Sequence, residues 1–278
     1  MTETKQQDNW SSKEYQNAAS FVPKLAVEIM KWLNPQKDDE ILDIGCGDGV
    51  LDIQIAQIVA QGRGRLHGID SSASMIGTAM EAASDAGLKN CTFEVCDATD
   101  LVNKPELQGG TFNKVFSNAA MHWILRPEDK REQFFVGVKN ALVPGGTFAF
   151  EMGGLGNVSE LKAGIFSAVG RRIGLARAVE ASPWFFPDED WMRQMMENTV
   201  GGWTIERMER VWRPTTADAG GVDAWIRLMA KQFFDAVQED QREECIREVV
   251  EVLEKVCAKP GGGYMFSYVR LRVLARKL

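Results

Sequence analysis

The sequence predicts an α/β fold: a doubly wound, mostly parallel sheet of seven strands with a helical cap. Three observations carry that expectation. Short apolar runs of strand composition alternate with longer stretches of helical spacing through residues 40–152. The first run, Glu40-Ile41-Leu42-Asp43-Ile44, leads into Gly45, Gly47 and Gly49 at alternate positions and then into an apolar helical pattern. Past Gly156 the alternation gives way to helices and two further strand-like runs. Such alternation builds parallel strands joined by crossover helices on both faces of a sheet.

The elements follow in order. Residues 12–33 place Ala18, Phe21, Val22, Leu25, Ile29 and Leu33 near helical spacing, giving one or two helices broken near Pro23. Asn34-Pro35 stops them. Strand 1 is expected at 40–44 with a helix over 49–60, and strand 2 at 65–69 with a helix over 72–86. Strand 3 is expected at 91–95, and strand 4 at 114–118 with a helix over 128–141. Pro144-Gly145-Gly146 turns into strand 5 at 147–152. Helices at 158–175 and 191–197 precede a strand at 203–212, then helices at 221–237 and 240–257. In the last of these, Ile246, Val249, Val250, Leu253 and Val256 form one apolar face. A final strand at 264–275 is entered through Gly261-Gly262-Gly263. The expected division is residues 1–36 as an N-terminal helical cap segment and 37–156 as the cofactor-binding core. Residues 157–278 complete the core with its last two strands and carry helical cap insertions at about 175–200 and 216–260.

At 278 residues the chain can bury a full core. Its 45% hydrophobic and 26% charged content is that of a globular protein. A net charge of −7 argues against a broad nucleic-acid-binding surface. No apolar run approaches the roughly 20 residues that span a bilayer. The polar N-terminus lacks an apolar signal core, so a cytoplasmic protein is expected. Five scattered cysteines without a CxxC pair, and only two histidines, fit reduced thiols and no metal site.

The candidate site lies at the strand ends. The glycine pattern is GxGxG rather than GxGxxG, and Asp43 stands just before it. A carboxylate there suits a positively charged ligand better than a pyrophosphate. S-adenosylmethionine (SAM), with a sulfonium and an ammonium, is such a ligand. Asp70 ends strand 2, where it can accept two ribose hydroxyls. Asp97 follows strand 3, where it can bond an adenine amino group. Taken singly, each acid would serve as a turn or cap residue. Together they recur at intervals of 27 positions, one βα unit each time. Ser117-Asn118-Ala119-Ala120-Met121-His122-Trp123 follows strand 4 and can surround the transferred methyl group.

These motifs resemble the class I SAM-dependent methyltransferases. Within them they are similar to the small-molecule group that includes trans-aconitate methyltransferase and the malonyl-carrier-protein methyltransferase of biotin synthesis. The matching stretches are ILDIGCGDG (41–49), GID (68–70), CDA (96–98), SNAAMHWI (117–124) and LVPGGTFAFEMGG (142–154). Trp10 and Tyr15, PWFFP (183–187), WRPT (212–215) and YVRLRVLA (268–275) are similar too. The resemblance implies a Rossmann-like methyltransferase fold with SAM as cofactor. It implies that Asp43 and the Gly45-Cys46-Gly47 backbone hold the methionine end. Asp70 would bind the ribose, with Ser71 and Met75 beside the adenosine. Asp97 and Ala98 would meet the adenine, and Asn118 and Ala119 the methionine portion.

Methyl transfer is an in-line displacement, so the enzyme positions the acceptor and excludes water. Trp10, Tyr15 and Trp123 are candidate substrate-binding walls. His122 is the candidate catalytic residue, as the base a hydroxyl acceptor would need; a carboxylate needs none. Arg213 could orient an anion. The expected reaction is O-methylation of a carboxylate or hydroxyl on a small molecule, with neither nucleic acid nor membrane as partner. Two alternatives stay open at this stage: a SAM-binding enzyme of the same fold catalysing a non-methylating step such as a cyclisation, and a non-enzymatic nucleotide-binding module.

Overall fold

The computed structural model describes residues 26–278; Trp10, Tyr15 and most of the expected N-terminal helix lie outside the described residues. Helix α1 (Val27–Leu33) ends at Asn34, which takes a left-handed conformation with φ of 45°. Five strands follow: β1 (Glu40–Ile44), β2 (Arg65–Asp70), β3 (Cys91–Val95), β4 (Phe112–Asn118) and β5 (Leu142–Gly153). Helices α2 (Val50–Val59), α3 (Ala73–Asp85), α4 (Met121–Ile124) and α5 (Arg131–Ala141) lie among them. Then come α6 (Ser159–Ile173), α7 (Leu175–Glu180), α8 (Glu189–Arg193) and β6 (Trp203–Thr216). Helices α9 (Gly221–Met229), α10 (Lys231–Asp235) and α11 (Glu239–Val256) precede β7 (Met265–Lys277).

The seven strands form one sheet in the order β3-β2-β1-β4-β5-β7-β6. Strands β1 to β5 run parallel to one another, and β7 lies antiparallel between β5 and β6. Chain order reverses direction between β1 and β4, the switch point at which open α/β sheets leave a crevice for ligands.

Alternation along the strands sends side chains to two cores. Leu42, Ile44, Val115, Phe148 and Phe150 join the core under α5 and α8. Ile41, Phe116 and Ala149 join the opposite core, built with Ile29 and Leu33 of α1 and Ile55 and Val59 of α2. A third core, around Trp184, Trp225, Phe233 and Leu253, packs α6, α9, α10 and α11 over the carboxyl side of the sheet.

Several boundaries differ from the sequence expectation. Strand β5 starts at Leu142, before the Pro-Gly-Gly turn, because Leu142 pairs with Phe112 and the register shifts before Thr147. Strand β6 runs on past Trp212 to Thr216 and includes Pro214. It is an edge strand, where proline's missing donor breaks no ladder on the open side. The helix expected at 221–237 is broken at Ala230, whose φ of −105° leaves the helical range. The helix expected at 191–197 begins as α8 and widens into a π-helical stretch, Gln194–Val200.

Candidate cofactor and acceptor site

The turn after β1 shows why glycine is required. Gly45 and Gly47 have φ of 75° and 58°, in the left-handed region. A Cβ on Gly45 would come within 2.2 Å of the Ala120 Cβ, so only a bare backbone lets the loop after β4 close against the first turn. Gly45 and Cys46 donate their N–H groups to the Ile69 carbonyl at 2.8 and 3.1 Å, tying the loop to β2.

This turn floors a cleft of about 150 Å³ at the switch point. Asp43, Gly45, Cys46, Gly47, Asp70, Ser71, Met75, Asp97, Ala98, Asn118 and Ala119 all line it. The structure thus brings together every residue that the sequence nominated for the cofactor. The nominated acids are held locally. Asp70 accepts from Gly47 N at 3.0 Å and from Ser72 N at 2.9 Å. Asp97 accepts from Thr99 N at 2.9 Å, capping the short helix that follows. Ala119 takes a φ of 59°, unusual for a residue with a Cβ, while its N–H donates to the Glu151 carbonyl at 2.8 Å.

Sequence reasoning missed two acids. Asp48 lines the cleft from within the glycine turn. Asp52, in the first turn of α2, is fully buried behind Asp43. It reads in sequence as an ordinary acid at a helix start, and only the packing brings it to Asp43. Asp43 Oδ1 and both Asp52 oxygens have no hydrogen-bond donor among the described residues. A proton shared between the two carboxyls would satisfy them. Burial, and next the Asp52 charge, raise Asp43 well above the carboxylate range; burial also brings Asp52 up to about 7. Burial beside these acids likewise pushes the Cys46 thiol upward and keeps it protonated.

The cleft lining is rich in acceptors: Asp43, Asp48, Asp70, Asp97 and the side chain of Asn118. It includes no lysine or arginine among the described residues. Asn118 Oδ1 is buried without a donor among the described residues. A ligand carrying phosphates would be repelled here. One carrying an ammonium, a sulfonium, two hydroxyls and an amino group fits.

A second, smaller cavity, of about 40 Å³, adjoins the first and shares Ala119 and Trp123 with it. His122 lies in this second cavity, with its side chain buried. Gly153 N donates to His122 Nδ1 at 3.4 Å. With Nδ1 accepting, the neutral ring carries its proton on Nε2. Burial, and then the charge of Arg270, hold the imidazole well below its ordinary pKa, so it is neutral. Trp184 stacks on Phe186 with ring centroids 5.8 Å apart and planes 15° from parallel. Trp225 belongs to the cap core and also lines the cavity. Arg213 does not: it donates to Glu151 at 2.8 Å, and the cavity's guanidinium is that of Arg270. In the sequence Arg270 was hidden as one of several basic residues in the last strand, with Arg272 two positions on.

A family model described as "Methyltransferase domain" matches residues 35–168. Over 274 residues the chain is 38% identical to "Uncharacterized methyltransferase C70.08c" of Schizosaccharomyces pombe, covering 98% of this chain and 99% of that protein. The fold is similar to that of the YcgJ protein of Bacillus subtilis, with a TM-score of 0.60 at 15% identity, covering 92% of this chain and 98% of that one. It is also similar to phosphoethanolamine N-methyltransferase 2 of Haemonchus contortus, solved with phosphomonomethylethanolamine and S-adenosylhomocysteine. That match has a TM-score of 0.52 at 18% identity and covers 91% of this chain and 52% of that one. With the Schizosaccharomyces pombe methyltransferase matching over nearly the whole length of both proteins, the chain belongs to the class I SAM-dependent methyltransferases, and SAM is its cofactor.

Proposed function

We propose that this methyltransferase O-methylates a small molecule, at a carboxylate or a hydroxyl, held in the second cavity. The observation that carries the reading is the adjacency of the two cavities across Ala119 and Trp123. In this reading Asp43, the turn at Gly45, Cys46 and Gly47, Asn118 and Ala119 hold the methionine end of the cofactor. Asp70, Ser71 and Met75 take the ribose side, and Asp97 and Ala98 the adenine. SAM supplies a methyl group made electrophilic by its sulfonium.

The protein's own work is placement and the exclusion of water. Holding an acceptor oxygen in line with the methyl turns an encounter between two molecules into a step within one complex. Trp123, Trp184 and Phe186 wall the cavity with apolar surface that removes competing water. With SAM bound, the methyl lost by the sulfonium would be gained by the acceptor oxygen, and the sulfur would be left as a neutral thioether. A carboxylate acceptor loses no proton. A hydroxyl acceptor loses one, and His122 is the candidate to take it. Burial and Arg270 both oppose a charged imidazole there, which favours the carboxylate.

A narrow cavity walled by cap aromatics supports a small acceptor, and a net charge of −7 argues against nucleic acid. The test uses methyl-tritiated SAM with a panel of small carboxylates and phenols, and with total RNA. The expected result is label in a small molecule that alkali releases as methanol, the mark of a methyl ester. His122→Ala would then keep carboxyl transfer within a few-fold. Label confined to RNA, or no transfer to any acceptor, would contradict the reading.

A further inference from the structure

We infer that Arg270 is the anchor for an anionic group on the acceptor, so that the second cavity selects organic anions with a flat apolar body. The inference rests on the reading of that cavity as the acceptor site. Arg270 lies on β7, and its side chain is only 3% exposed. Its Nε and Nη1 atoms have no hydrogen-bond partner among the described residues. The guanidinium lies over the Tyr268 ring at 4.8 Å, which offers no hydrogen-bond acceptor in its plane. Burying two such nitrogens unpartnered is costly, because the water they gave up is not replaced. Such a group is retained where a ligand completes it.

The surrounding charges leave room for that ligand. Glu151 is the nearest carboxylate, but its Oε1 stands 3.7 Å from Arg270 Nε. The same carboxylate already accepts from Arg213 at 2.8 Å and from Arg272 at 2.5 Å. Arg272 also donates to Glu209 at 2.8 Å. This ion-pair network holds three guanidinium groups against two carboxylates, so one positive charge is left over, and Arg270 is the member that faces the cavity. Lys162 adds further positive charge, with Nζ 5.1 Å from the Phe186 ring centre.

The apolar half of the ligand follows from the same walls. Trp184 and Phe186 present stacked rings, and Trp225 closes the far side at 5.9 Å from Trp184. A planar carboxylate matches a guanidinium in shape and hydrogen-bonding pattern.

Quenching of tryptophan fluorescence tests this, because Trp123, Trp184 and Trp225 line the cavity. The full chain, with and without S-adenosylhomocysteine, is titrated with trans-cinnamate, benzoate and indole-3-acetate, and with the amide of each. Benzenesulfonate tests whether an anion of another geometry is accepted equally. At least one acid should bind tenfold or more tighter than its amide. Arg270→Gln should abolish that preference while S-adenosylhomocysteine affinity stays within about twofold, and Arg270→Lys should keep part of it. Melting temperature separates a structural role: removing the charge in excess of the network's carboxylates should leave it unchanged or raise it. Equal binding of acid and amide, no binding of any acid, or an unaltered preference in Arg270→Gln would overturn the inference. Acid binding is measured without methyl transfer, so a failure of catalysis alone would sink the proposed reaction and leave this result standing.

Discussion

At the scale of single residues, Asp43 and Asp52 make the site sensitive to pH. Two fully buried carboxyls in one space cannot both ionise cheaply, and burial and mutual repulsion hold a proton on the pair. Asp52 lies at about 7 in the folded chain against 3.8 as its ordinary value. The folded state therefore keeps a proton between those values that the unfolded chain has lost. The stability this group contributes is full below 3.8 and is lost as pH rises toward 7. Cofactor binding works the other way, since a cation beside Asp43 favours the ionised pair. SAM affinity should climb as pH rises to about 7 and then level off, by at most about tenfold per pH unit for one proton. Calorimetry in buffers of different ionisation heats should detect the proton released. Asp52→Asn should move the rise to lower pH, and a wild-type affinity that is flat from about pH 5.5 to 8.5 would contradict the coupling. Local order made Asp43, Asp70 and Asp97 legible in the sequence, because each stands at the end of its own strand. Asp52 and Arg270 were not legible, because their roles come from neighbours far along the chain.

At the scale of elements, the glycine turn is the most constrained piece. Gly45→Ala would add a Cβ at 2.2 Å from Ala120 and force alanine to a φ of 75°. The left-handed conformation alone costs about 1–2 kcal/mol, before the loop after β4 has to move. We expect a lower melting temperature and at least tenfold weaker binding of S-adenosylhomocysteine, read by thermal shift and calorimetry. Unchanged binding in a folded Gly45→Ala protein would show that the closeness of the two loops does not shape the cleft. Strands β1 to β3 and their helices were legible because periodicity and glycine punctuation agree there. The break at Ala230 and the π-helical stretch after α8 were not, because tertiary packing decides them against a continuous helical pattern. Strand β6 outran its expected end because proline is tolerated on an open edge.

At the scale of the molecule, the sheet supplies one half of the site and the cap the other. Carboxylates at the ends of β1 and β2 and just after β3 make an acidic cleft. Helices α6, α9, α10 and α11 pack aromatic side chains over the adjoining cavity. The second cavity draws on Ala119, Asn157, Trp184, Trp225 and Arg270, which are scattered over more than half of the chain. No local pattern could have assembled it. Among the described residues no helix is long and apolar enough to cross a membrane. A calorimetric titration of the purified chain with SAM, set beside one with NADH, tests the central claim that the acidic cleft is built for a cationic nucleoside. One equivalent of SAM should bind, NADH should not, and Asp43→Asn should weaken SAM at least tenfold. Binding of NADH in place of SAM, or no heat with SAM from a folded protein, would contradict the account.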